Sequence, residues 1–117
     1  MNCTLIITTY NWPDALELVL SSVMEQTILP SEVIIADDGS EEGTKNVIEK
    51  FSDNSLFPIF HSWQKDKGFR LSKSRNKSIA LAKYEYIIVI DGDMLLHKDF
   101  IKDHLKVAKK NTYVQGS

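Results

Sequence analysis

Three short polar clusters in this chain hold the side chains that could do chemistry. Ile90-Asp91-Gly92-Asp93 sets two carboxylates one glycine apart. Two hard oxygen ligands of that kind suit Mg²⁺ or Mn²⁺, ions that share their coordination with substrate phosphates. Asp37-Asp38-Gly39-Ser40 offers a second acidic pair, able to accept hydrogen bonds from a nucleobase N–H or from ribose hydroxyls. Thr8-Thr9-Tyr10-Asn11 offers hydroxyls, a phenol and an amide, without a charge. Each cluster alone reads as an ordinary turn, and Asp-Gly is common in turns. Their place in the chain gives them meaning.

Each cluster closes an apolar run. Cys3 to Thr8, Glu32 to Ala36 and Tyr86 to Ile90 are short and rich in β-branched residues, the pattern of strands buried on both faces. Between them lie segments of helical period. Leu16, Val19, Leu20, Val23 and Met24 form one stripe behind Pro13, a good first helical residue; Val47, Ile48 and Phe51 form another. Leu56 to His61 reads as a third strand, with Pro58 marking an edge position or a late start. Ser72 can cap a helix running to about Lys83, with Leu71, Arg75, Ser78, Ile79 and Ala82 along one side. Lys98-Asp99 opens a last helix with Phe100, Ile101, Leu105 and Ala108 inward, and Thr112 to Val114 could begin another strand. This β-α-β-α-β-α-β-α order predicts an α/β fold, a parallel sheet of order 3-2-1-4 covered by helices. In that order all three polar clusters fall on one edge, at the carboxyl ends of the strands, where such sheets bind ligands.

Composition narrows the classes. The 117 residues make one domain, 43% hydrophobic and 26% charged, as expected of a globular protein. A net charge of −2 argues against a nucleic-acid partner, which would need a strongly basic surface. Half of the 14 basic residues, however, are Lys65, Lys67, Arg70, Lys73, Arg75, Lys77 and Lys83, either a solvated helix face or a counter-charge for phosphates. Cys3, the only cysteine, sits in an apolar strand and reads as an inert core residue. No apolar run approaches the ~20 residues of a membrane span, and the expected location is cytoplasmic. His61, His97 and His104 share no ligand spacing, and Trp12 and Trp63 flank the expected cleft, where they could stack on a base or sugar or simply pack.

A dinucleotide dehydrogenase would show a glycine-rich turn after the first strand; here the first glycine is Gly39. Receiver domains and aspartyl phosphatases need an acid at the end of the first strand, where this chain has Thr8-Thr9-Tyr10-Asn11. Ile6-Ile7-Thr8-Thr9-Tyr10-Asn11, then Val33 to Ser40, then Ile90 to Asp93 resemble family 2 glycosyltransferases of the Rossmann-like GT-A fold. Trp63-Gln64-x-Asp66-x-Gly68-Phe69-Arg70 followed by Arg75-Asn76 is similar to a bacterial branch with chondroitin-type polymerases and galactosyltransferase-like domains.

The resemblance implies a nucleotide-sugar donor, UDP-type favoured, a saccharide acceptor, inversion, and a divalent metal, Mn²⁺ or Mg²⁺. It implies that Thr8, Tyr10 and Asp38 line the nucleobase pocket with Asn11 beside them and Asp37 supporting. Arg75 would lie near the pyrophosphate or hold its loop, Asp91 would meet ribose or metal, and Asp93 would ligate the metal. Met94 stands where the family often has a further aspartate. The family's general base lies well downstream of its Asp-x-Asp motif and is expected beyond Ser117, so no residue of this chain is assigned that catalytic role. Residues 1–117 are expected to be a donor half without the acceptor half, inactive alone. Peripheral membrane association of a parent protein, and homodimerisation through an exposed sheet edge, belong to the same expectation. Two alternatives stay open: a sugar nucleotidyltransferase, which would turn over a nucleoside triphosphate, and a non-catalytic nucleotide-binding or assembly module.

Overall fold

The computed structural model describes residues 2–65, 71–107 and 113–115. Along the chain run β1 (Cys3–Thr9), α1 (Pro13–Met24), β2 (Glu32–Asp37), α2 (Glu42–Ser52), β3 (Ile59–Trp63), α3 (Leu71–Leu81), β4 (Tyr86–Asp91), α4 (Phe100–Lys106) and β5 (Tyr113–Gln115). The strands form one sheet of order β3-β2-β1-β4-β5, parallel at every pairing. The expected 3-2-1-4 order is present, with a fifth strand added beside β4.

All seven residues of β1 are buried, as the centre of a sheet covered on both faces requires. Strand parity sorts the side chains. Leu5, Ile7, Val33, Ile35, Ile88 and Ile90 meet Leu16, Val19, Leu20 and Val23 of α1, Ile48 of α2, and Phe100 and Ile101 of α4. Ile6, Ile34, Ala36 and Val89 face the other way, toward Ile79 and Ala82 at the end of α3. Fully burying a branched aliphatic side chain contributes about 1.5–3 kcal/mol, so the position of β1 is strongly specified. No helix among the described residues is long and apolar enough to cross a membrane.

Two elements have boundaries that differ from expectation. The third strand begins at Ile59 instead of Leu56: Pro58 has no N–H to give a ladder, its carbonyl accepts the Val33 N–H at 2.9 Å, and Leu56 is left exposed. The third helix starts at Leu71, putting Ser72 inside its first turn, and ends at Leu81. There the Lys83 N–H donates to the carboxylate of Glu32 at 2.7 Å, which also accepts the Thr4 hydroxyl at 2.6 Å. Glu32 is thus a buried acid made tolerable by hydrogen bonds. Asp66, Gly68, Phe69 and Arg70 of the fourth motif lie outside the described residues, as do Ala108 and Ser117.

Candidate functional site

The parallel registers bring the three polar clusters to one edge: Thr8 lies opposite Asp91, and Thr9 opposite Asp37. The Thr8 hydroxyl, buried, lies 3.3 Å from Asp91 Oδ1 and 3.5 Å from the Ile90 carbonyl, so it can donate to either. Asp91 itself is exposed, as is Asp93. The turn between them closes through the Met94 N–H to the Asp91 carbonyl, 3.1 Å. Gly92 owes its place to crowding: a Cβ there would stand 2.3 Å from the Thr8 carbonyl oxygen. The glycine lets the end of β4 lie against the end of β1.

The second cluster is built differently. Asp37 and Asp38 are both fully buried, and their carboxylates are engaged. Asp37 Oδ1 accepts the Ser40 N–H at 2.9 Å, and His61 Nε2 lies 2.7 Å from Asp37 Oδ2. Asp38 Oδ1 accepts the side-chain amide of Gln64 at 2.6 Å. Gly39 turns the chain with φ 98°, a conformation costly for any residue with a Cβ. The Ser40 hydroxyl then accepts the Asn11 N–H at 2.7 Å, and Asn11 Oδ1 accepts the Glu41 N–H at 2.6 Å. Asn11 itself takes the left-handed region at φ 46°, which Asn tolerates better than most. The loop after β1 and the turn after β2 are therefore one hydrogen-bonded unit. Tyr10, on that loop, is exposed.

Arg75 sits on α3, the helix covering the face that carries Thr8 and Asp91. It is half-buried and has no ion pair with any described residue. Trp12 and Trp63 are both exposed. The Trp63 indole N–H donates to the Ser40 carbonyl at 3.1 Å, and Lys77 donates to the Trp63 carbonyl at 3.1 Å. His61 and Gln64, the partners of the acidic pair, carry no signal of that role in their own stretch of sequence. Parallel register with the Asp37 and Asp38 strand is what reveals them.

No group of three His, Cys, Asp or Glu side chains converges among the described residues. Among the described residues, side chains alone do not enclose a cation. Asp91 and Asp93, two exposed carboxylates at a strand end, fit instead a hard divalent ion sharing its coordination with a phosphorylated ligand. His97 and His104 lie away from this edge. His104 packs on the Phe100 ring, centroids 4.4 Å apart, and burial lowers its pKa below the ordinary imidazole value.

Comparison with known proteins agrees with this architecture. The chain is 41% identical over 92 residues to a hyaluronan synthase of Pasteurella multocida, covering 78% of this chain and 9% of that protein. It is 34% identical over 105 residues to a chondroitin synthase of Escherichia coli, covering 89% of this chain and 15% of that protein. It therefore spans only a small part of the length of these relatives. Residues 1–349 of S. aureus TarS, solved in complex with UDP-GlcNAc, superpose with a TM-score of 0.79 at 26% identity, over 91% of this chain and 30% of that one. The family model for glycosyl transferase family 2 matches residues 4–117. The chain belongs to that family.

Proposed function

We propose that residues 1–117 form the donor site of a sugar-transferring enzyme, binding a nucleoside diphosphate sugar of UDP type. Its sugar goes, with inversion, to a saccharide acceptor. The observation that carries this reading is the convergence of Thr8, Asp38 and Asp91 at three neighbouring strand ends. A nucleotide needs partners for base, ribose and diphosphate within one short span, and polar residues of suitable types stand within such a span at that edge. Thr8 of β1, Tyr10 of the loop after it and Asp38 line the base pocket, Asp37 and Asn11 hold the pocket's wall, and Asp91 reaches the ribose or the cation. Arg75 faces the diphosphate with a guanidinium suited to bidentate contact.

Asp93, with Asp91, would hold Mn²⁺ or Mg²⁺. When bound, such an ion neutralises charge on the departing diphosphate. Donor binding is the step assigned to these residues. The buried lone Cys3 fits a reducing, cytoplasmic setting. In support, the TarS structure that shares this fold was solved with UDP-GlcNAc.

The test is calorimetric titration of UDP, ADP and GDP, with and without Mn²⁺, on the chain and on Asp93→Ala. Selective, Mn²⁺-dependent UDP binding that drops at least tenfold in Asp93→Ala is the expected result. Equal binding of all three nucleotides, or binding indifferent to Mn²⁺, would contradict it.

A further inference from the structure

We infer that His61 is a positioning residue for this donor site, holding the base-binding end through Asp37; the inference rests on the reading above. His61 lies opposite Ile35 in the β2–β3 register, between Ile59 opposite Val33 and Trp63 opposite Asp37. On that face Val33, Ile35 and Ile59 are core residues. An imidazole is out of pattern there, and its side chain remains 21% exposed against 0% for the carboxylate it meets.

Asp37 explains the exception. A buried carboxylate must have its oxygens engaged. One takes the Ser40 N–H and the other faces His61 Nε2 at 2.7 Å. To donate, Nε2 must carry the hydrogen, which either the Nε2–H tautomer or the imidazolium provides. From Asp37 the order passes through covalent and hydrogen-bonded neighbours. Ser40 is held by Asp37, Asn11 by the Ser40 hydroxyl, and the Glu41 N–H by Asn11. Tyr10 and Asp38 stand on the two segments so joined. Three residues beyond His61 the Gln64 amide holds Asp38, so β3 and the residue after it supply a side-chain prop to each member of the acidic pair. Without the His61 donor, Asp37 would retain a desolvated oxygen and the turn at Gly39 would shift to expose it. The base pocket would loosen while Asp91 and Asp93, on the other side of β1, would stay put.

That asymmetry gives the test. On the full chain, UDP and inorganic pyrophosphate are titrated calorimetrically in the presence of Mn²⁺, for wild type, His61→Leu and His61→Gln. The glutamine amide can still donate to Asp37; leucine cannot. Expected is a loss of about tenfold in UDP affinity for His61→Leu with pyrophosphate binding within twofold of wild type, and recovery to within about threefold in His61→Gln. The inference is overturned if His61→Leu binds UDP as wild type does. It is also overturned if both probes weaken alike, which would mark a general structural lesion, or if His61→Gln fares no better than leucine. Wild-type chain that binds neither probe would overturn the donor-site reading itself, and this inference with it.

Discussion

At Gly92 a single hydrogen atom decides whether the site can form. Its missing Cβ would lie 2.3 Å from the Thr8 carbonyl, far inside contact distance, and the obstacle is backbone that cannot rotate away. Gly92→Ala must push β4 from β1 at the point where Thr8 meets Asp91. Overpacking of this kind costs about 1–3 kcal/mol, and the carboxylates on either side move with the backbone. Expected are a lower urea midpoint and loss of Mn²⁺-dependent UDP binding; a variant as stable and as tight as wild type would refute the close-approach argument. The sequence around Gly92 reads correctly as a bend between two acids, but the reason for glycine is hidden there, because it depends on a neighbour 84 positions away in the chain (92 − 8). His61 and Gln64 are hidden for a related reason. A one-residue slip in strand register would turn each to the opposite face, so their roles become legible only with the Val33–Ile59 pairing in hand.

Elements are more legible, since hydrophobic period alone locates them, and what escapes the sequence lies in the polar stitching between them. The end of α1 is sewn to the segment that follows the acidic turn of β4. Gln26, buried, donates to the carbonyls of Ser22 and His97 and accepts the Ile101 N–H. The Thr27 hydroxyl donates to Asp99 at 2.7 Å, which lowers that carboxyl's pKa, and the Leu96 N–H donates to the Ser22 hydroxyl. Gln26→Leu keeps the side chain's bulk but strands the Ile101 N–H at a buried helix start. Leaving a buried group unpaired costs about 1–3 kcal/mol, so a Tm lower by roughly 5–10 °C is expected for a domain of this size. His104 on α4 supplies a pH-dependent term. Its folded pKa is depressed, mainly by burial, so the folded chain binds the proton less readily than the unfolded one. The stabilisation is complete above the ordinary imidazole value and is lost as pH falls through it toward the folded value. Between pH 7.5 and 5.5 the Tm of wild type should therefore fall more than that of His104→Phe; parallel curves would show that the imidazole contributes nothing.

At the scale of the molecule, the site belongs to the sheet as a whole. The residues proposed to bind the donor come from β1, β2, β4, the turns after these strands, and α3, with props from β3 and the residue after it. The Cα radius of gyration, 13.1 Å, is what a compact single domain of this length has, about 2.2·N^0.38 Å, and one core runs from Cys3 to Ile101 across both halves of the sheet. No part of the site can then persist once the sheet has opened, and a ligand that bridges β2 and β4 binds the native chain alone. Linkage turns this into a number. A ligand present at a hundredfold excess over its Kd adds about 2.7 kcal/mol to the unfolding free energy. With an unfolding entropy of about 2.1 cal/mol/K per residue, that is a rise of roughly 10 °C in Tm. Scanning calorimetry should show this rise for UDP with Mn²⁺ as one sharpened transition, and no rise for Asp93→Ala at the same concentrations. Splitting of the endotherm, with only part of it moving, would mean that the strand ends holding the nucleotide unfold separately from the rest, and that the site is local to one half of the sheet after all.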